Sequence, residues 1–94
     1  MTIEIMLPRL VGTRNSAHEI LSAPLRDGGS DVLEVHARAV LNAAPSFIDE
    51  FVKIAGESGV TEIRLTGESN ELRQMFQEAA GRRGSVKVTA GAFA

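Results

Sequence analysis

The residues around Ser46 could support either helix capping or phosphorylation. Ser46-Phe47-Ile48-Asp49 matches the pattern in which a serine, followed three residues later by an acid, caps the first turn of a helix. A phosphate on the same hydroxyl would meet free backbone amides and the positive end of the helix dipole. We expect Ser46 to be an N-cap residue, and phosphorylation of Ser46 is the functional alternative.

Four other groups, two carboxylates and two histidines, show no catalytic spacing. Asp49 and Glu50 are adjacent, and neighbouring helix positions point in different directions, so these acids cannot form a facing acid–base pair. In the first turn of a helix they would instead interact favourably with the helix dipole. His18 and His36 each lack a ligand partner one helical turn away, which predicts solvated or partly packed histidines and no metal site.

The rest of the composition offers no catalytic set. The absence of cysteine excludes disulfides, thiolate metal sites and a cysteine nucleophile. The glycines form neither a Walker motif nor a Gly-x-Gly-x-x-Gly pattern, and Gly81-Arg82-Arg83-Gly84 follows a predicted helix instead of opening one. We therefore predict that the chain is not an enzyme and needs no cofactor.

Charge and hydropathy limit the classes of partner. The chain has 10 basic and 12 acidic residues and a net charge of −2. Arg82 and Arg83, extended by Lys87, form the candidate basic cluster, and cations at the end of a helix explain it without nucleic acid. No segment approaches the roughly 20 apolar residues of a membrane span, and the N-terminus lacks a signal-peptide core. We expect no nucleic-acid or membrane partner and a cytoplasmic location.

Strands and helices that alternate along the chain must position these residues. Apolar residues at every second position predict strands at 3–7, 31–36, 61–66 and 85–89. Apolar residues at helical spacing predict one helix after Thr13, a second from Pro45-Ser46 and a third after Ser69. Thr13 and Ser69 are expected to cap their helices, because a hydroxyl can accept a hydrogen bond from a free amide of the first turn.

The connections and the alternation together predict the architecture. Pro24 is expected to end or kink the first helix, 26–30 to form a loop, and 37–44 to form either a strand extension or an irregular link. Strands that alternate with helices indicate a largely parallel sheet. Because the first and third strands are not apolar throughout, we expect an α/β domain over 1–94 in which about three helices pack mostly on one face of a small four-stranded, mixed or mainly parallel sheet.

Two stretches of the chain carry a resemblance to a known family. In Gly12–Ala17 a glycine and Arg14 precede the first helix, and in Val32–Phe51 a strand and a link lead to the second helix start. The chain resembles STAS-like domains, relatives of the bacterial anti-sigma factor antagonists. The resemblance implies a single STAS-like domain, regulation by protein contact, and an anti-sigma factor or a related ATP-binding kinase as partner. It also implies phosphorylation of a serine where Ser46 falls.

The predicted contact surface is the strand-to-helix junction together with the start of the first helix. It consists of Arg14, Asn42, Pro45, Ser46, Phe47, Asp49 and Glu50. The leading hypothesis is a non-enzymatic regulatory protein-binding module, with phosphorylation of Ser46 as its control. The alternative is a self-associating structural or adaptor subunit without a phosphorylation switch, such as a homodimer that pairs through an open sheet face or the edge strand at 85–89.

Overall fold

The computed structural model describes residues 2–22, 25, 31–84 and 86–90. The strands are β1 (Thr2–Met6), β2 (Leu10–Val11), β3 (Val32–His36), β4 (Asn42–Ala43), β5 (Glu62–Thr66) and β6 (Lys87–Ala90). The helices are α1 (Arg14–Ser22), α2 (Pro45–Glu57) and α3 (Asn70–Arg83). The helix stop or kink expected at Pro24 and the loop expected at 26–30 lie outside the described residues.

The main sheet is parallel, with the strand order β1-β3-β5-β6. Each strand lies beside the next strand of this sheet along the chain, and a helix connects each pair, so right-handed crossovers place the three helices on one face. Helix α1 packs on α2, and α2 packs on α3. The predicted α/β architecture with four strands and three helices is confirmed, and the sheet is parallel, not mixed.

The two faces of the main sheet differ in polarity. Leu33 and Val35 on β3 are fully buried under the helices, whereas Glu34 and His36 alternate with them and face the other side. Strand β5 repeats this pattern, with Ile63 and Leu65 in the core. We call the helix-free side of the sheet the open sheet face. Its polar character follows from the period-two alternation that was visible in the sequence.

A line of phenyl rings joins α2 to α3 in the core. The ring centroids of Phe47 and Phe51 are 5.8 Å apart, and those of Phe51 and Phe76 are 5.6 Å apart in an edge-to-face arrangement. All three rings are fully buried. Phe47 was predicted as a partner contact, but it lies one helical turn from Phe51 on the core-facing side of α2. We therefore correct that assignment and place Phe47 in the core.

A second, two-stranded sheet forms from segments whose structure the sequence left open. Strand β2 pairs in parallel with β4, with Leu10 opposite Asn42 and Val11 opposite Ala43. Val11 is fully buried, and its carbonyl accepts a hydrogen bond of 2.9 Å from the Ala44 N–H. Two residues per strand are too few for a periodic pattern, so this ribbon could not be predicted. The ribbon holds the start of α2 close to the start of α1.

Candidate partner-binding surface

Helix α2 begins without a side-chain cap. Ala44 is its N-cap residue, in an extended conformation with φ −93° and ψ 142°, and Pro45 is the first helical residue. Proline lacks the N–H that would need a partner there, and its ring fixes a helical φ, so it begins a helix without a capping hydroxyl. The predicted N-cap role of Ser46 is therefore wrong. The first turn contains no acid either, so the predicted dipole role of Asp49 and Glu50 is also wrong.

Two large apolar side chains lie in water beside this helix start. Leu10 on β2 is 66% exposed, and Leu41, directly before β4, is 65% exposed. Leu10 lines a shallow hollow of about 330 Å³ together with Asn42 and Ala44. Leu41 lines a separate hollow near the start of α3, and its N–H donates to the Arg9 carbonyl at 2.8 Å. The ribbon and the residue directly before β4 thus present apolar side chains that the fold itself leaves exposed.

Ser46 lies at the second position of α2, half-buried, next to two arginines. It lines a shallow hollow of about 310 Å³ with Arg14, Pro45, Asp49 and Arg82. Arg14 belongs to the first turn of α1 and Arg82 to the last turn of α3. A negatively charged group attached to the serine oxygen could form charge-assisted hydrogen bonds with these guanidinium groups.

Asp49 lies on α2 and contacts arginines of both other helices, α1 and α3. Its Oδ2 accepts hydrogen bonds from Arg83 Nη2 at 3.0 Å and from Arg14 Nη1 at 3.4 Å, and Arg82 Nη2 lies 3.7 Å from its Oδ1. Partial burial by itself raises the pKa of Asp49, but the bonds from Arg83 and Arg14 outweigh that effect and hold the pKa below its ordinary value. Asp49 is therefore an ionised acceptor for a cluster of arginines.

Glu50 is buried between α1 and α2. Its Oε2 accepts a hydrogen bond of 2.7 Å from His18 Nε2, and its Oε1 accepts one of 3.0 Å from Arg14 Nη1. The bond from His18, and then the bond from Arg14, lower the pKa of Glu50 below its ordinary value, although burial acts in the opposite direction. Glu50 thus links two helices inside the molecule. We correct its assignment as a partner contact for that reason.

The structure brings together five of the seven residues predicted at the junction. Arg14, Pro45, Ser46 and Asp49 line one hollow, and Asn42 lines a separate hollow that includes Ala44, the residue before Pro45. Sequence reasoning placed Leu41 within the junction but did not name it as a contact, and it missed Leu10 and Arg82. The exposure of a side chain and contacts across more than 30 residues leave no periodic signal in the sequence. We define the junction surface as Leu10, Arg14, Leu41, Asn42, Pro45, Ser46, Asp49 and Arg82.

Comparisons of the chain with protein-family models, with curated proteins and with solved structures find no match. The resemblance to STAS-like domains therefore stays a prediction from the sequence. In the part of the chain that the structure describes, no helix is long and apolar enough to cross a bilayer.

Proposed function

We propose that the chain is a regulatory protein-binding module and that the junction surface is its contact site. The observation that carries this proposal is the exposure of Leu10 on β2 and of Leu41 directly before β4. Full burial of one leucine side chain contributes about 1.5–3 kcal/mol. Two leucines that stay in water, one on the ribbon and one directly before it, therefore favour a partner that covers them.

Arginines of α1 and α3 and carboxylates of α2 form a charged cluster at the start of α2, next to this apolar ribbon. Three guanidinium groups, those of Arg14, Arg82 and Arg83, lie beside the carboxylates of Asp49 and Glu50, so positive charge is in excess. Charges at the rim of an interface mainly orient the partner and raise the association rate. We therefore expect an acidic rim on the partner protein. By resemblance, the partner class is an anti-sigma factor or a related ATP-binding kinase.

Phosphorylation of Ser46 would act through the arginines that now contact Asp49. A phosphate carries a charge of about −1.5 to −2 and strong acceptor oxygens, so it would compete with Asp49 for Arg14 and Arg82. The junction surface would then lose its excess positive charge. Because an acidic partner requires that charge, phosphorylation is expected to weaken docking.

Substitution of the two exposed leucines tests the docking proposal. The double variant Leu10→Ser/Leu41→Ser is expected to lower the recovery of a specific partner about tenfold or more, because it removes the apolar anchors. Recovery is measured by affinity capture from a lysate of the source cells with quantitative mass spectrometry. The captured protein is then purified, and its affinity is measured by calorimetry.

Met6→Ser is the matched control, since Met6 is also exposed, at 76%, but lies on the main sheet and not on the ribbon. Met6→Ser should retain the partner, and circular dichroism should show that all variants are folded. Equal recovery by the wild type and the double leucine variant would contradict the proposed contact site.

Self-association is the second candidate, and the edges of the main sheet favour it. Strands β1 and β6 are the outer strands of that sheet, so each has one side without a strand neighbour among the described residues. Lys87 on β6 is exposed, and a lysine on an edge strand opposes pairing with another strand, so the β1 edge favours this candidate more than the β6 edge does. A concentration-dependent increase in sedimentation coefficient that Leu10→Ser/Leu41→Ser does not alter would support this candidate over docking.

A further inference from the structure

The open sheet face brings Glu4, Glu34 and His36 together. Glu4 on β1 and Glu34 on β3 are register partners in adjacent strands, and His36 lies two residues beyond Glu34 on the same face. One ligand atom from each of the three side chains lies within 4.8 Å of the others. A sequence pattern of ligands one helical turn apart misses this group, because its members come from two parallel strands.

The distances within this group suit a small cation. His36 Nε2 lies 2.9 Å from Glu4 Oε1 and 3.6 Å from Glu34 Oε1. Ligand atoms that surround Zn²⁺ tetrahedrally at about 2.0–2.1 Å are about 3.3 Å from one another. That separation lies between the two observed distances. The Glu4 side chain is 68% exposed, so it can move the short distance that an ion between the three ligand atoms requires.

A hydrogen bond to Thr66 orients the imidazole. His36 Nδ1 lies 2.8 Å from Thr66 Oγ1, and the Thr66 hydroxyl donates to the Val35 carbonyl at 3.5 Å. When the Thr66 hydroxyl hydrogen points to the Val35 carbonyl, Thr66 Oγ1 can accept a hydrogen bond from Nδ1–H, and Nε2 is then the ring nitrogen that faces Glu4 and Glu34 and can bind a cation. Histidines that bind metals are typically held in this way by a hydrogen bond at the other ring nitrogen. A cation at Nε2 would replace the 2.9 Å hydrogen bond between Nε2 and Glu4 Oε1.

We propose that Glu4, Glu34 and His36 bind a divalent transition-metal ion, with Zn²⁺ as the reference ion. Imidazole and carboxylate are both zinc ligands, and three protein ligands leave a fourth position for water or a small ligand. Glu4 and His36 also line a cavity of about 510 Å³, together with Met6, Arg38, Ala39, Thr66 and Gly67. Its volume is typical of small-molecule sites, so the fourth position has room for a ligand.

The arginine beside Glu34 bonds to a different carboxylate, so Glu34 stays available to bind a metal ion. Arg64 is the register partner of Glu34 on β5, but its Nε donates to Glu62 Oε2 at 3.2 Å. Arg38 also lines the cavity. It packs closely against Gly67: a Cβ added at Gly67 would lie only 3.0 Å from the Arg38 Cβ. Arg38 and Arg64 both add positive charge, which makes binding weaker than three ligands alone would give.

Calorimetric titration of the tag-free chain with Zn²⁺ tests this proposal. The chain has two histidines and no cysteine, so a matched histidine control exists. We expect one ion per chain, with affinity at least tenfold lower in Glu34→Gln and in His36→Asn. Thr66→Val should lower affinity about 10–100-fold, as is typical for loss of an orienting partner. His18→Asn should bind Zn²⁺ as the wild type does, because His18 lies on α1 and contacts Glu50.

Three results would overturn the metal site. These are a folded wild-type chain that binds no Zn²⁺, affinity that is unchanged in His36→Asn, and affinity that is lost in His18→Asn. Glu4→Gln provides a further test, since this exposed side chain lies outside the core and its substitution leaves the fold intact. Unchanged affinity in Glu4→Gln would remove Glu4 from the site. No protein partner is needed, so the result is independent of the docking experiment.

Discussion

Ser46 occupies a position where one chemical change would alter an existing charge cluster. It shares a hollow with Arg14 and Arg82, and both arginines also contact Asp49. A new anion at Ser46 therefore meets cations that are already held in place by a carboxylate. The effect of phosphorylation should depend on this competition and not on capping, because the serine does not cap α2.

Ser46→Glu should imitate the phosphorylated state. We expect it to weaken binding of the captured partner about tenfold, which corresponds to about 1.4 kcal/mol, since the added carboxylate cancels part of the positive charge that an acidic partner requires. The affinity is measured by calorimetry. In the free chain, the side-chain NMR signals of Arg14 and Arg82 should shift in the same variant.

Gln77→Glu is the control for added charge, because Gln77 is exposed on α3 and does not line the Ser46 hollow. It should leave both the affinity and the Arg14 signals at their wild-type values. Equal affinities for Ser46→Glu and the wild type would contradict the proposed switch while leaving the docking surface untouched.

Two of the three helices begin with a hydroxyl cap that the sequence predicts, and the third begins with a proline. The Ser16 N–H donates to Thr13 Oγ1 at 3.0 Å, and the Leu72 N–H donates to Ser69 Oγ at 3.1 Å, so both predicted caps are confirmed. Helix α3 ends at Gly84, whose φ of 73° is one that glycine adopts without strain, so the helix includes Gly81, which was predicted to follow it. Helix α2 begins at Pro45 instead, because proline supplies the first-turn geometry without a hydroxyl.

Ser69→Ala should lower the free energy of unfolding by about 1 kcal/mol, because the Leu72 amide loses its capping acceptor. Urea unfolding followed by circular dichroism measures the change. Ser22→Ala is the matched control, since the Ser22 hydroxyl is exposed and bonds only weakly to the Glu19 carbonyl at 3.3 Å. Its effect should stay within about 0.5 kcal/mol. Equal losses in the two variants would show that the Ser69 hydroxyl contributes no more than an exposed serine does.

Across the whole molecule, Asp49 connects three helices that are distant in the chain. It accepts hydrogen bonds from Arg14 at the start of α1 and from Arg83 at the end of α3. Glu50 adds a second connection from α2 to α1 through Arg14 and His18. These ionised contacts make the packing of the helical layer dependent on the charge of two carboxylates.

This dependence predicts how stability changes with pH. Both pKa values are depressed in the folded chain, below the ordinary values of 3.8 for Asp49 and 4.5 for Glu50. The stabilisation is therefore complete above those values and is lost as the pH falls through the lower, folded-state values. We expect the urea midpoint to be steady near neutral pH and to fall below about pH 4.

Asp49→Asn isolates the contribution of one carboxylate. This variant should be less stable than the wild type at pH 7, and its stability should decline less steeply in acid because it has one fewer group to protonate. Glu57→Gln serves as the control, since Glu57 is exposed at the C-terminal end of α2, and it should keep the wild-type pH profile. A wild-type profile in Asp49→Asn would contradict the role of this cluster.

Local patterns predicted most of the fold and part of the candidate site. Alternation along 31–36 and 61–66 identified two strands and the face on which each side chain lies, because the strand period depends on neighbouring residues alone. The alternating order of strands and helices predicted a parallel sheet. The junction around Pro45 and Ser46 was also recognisable, although Phe47 and Glu50 in that segment are buried.

The sequence by itself therefore determined the helices, the main strands, the polar open face and the position of Ser46 near a helix start. Tertiary structure decided which distant polar side chains meet, such as Arg14 with Glu50 and Glu4 with His36, each pair 32 or more residues apart. It also decided that Leu10 and Leu41 stay exposed. The reason is that periodicity records which face a residue occupies, whereas contact and exposure depend on how separate elements pack against one another.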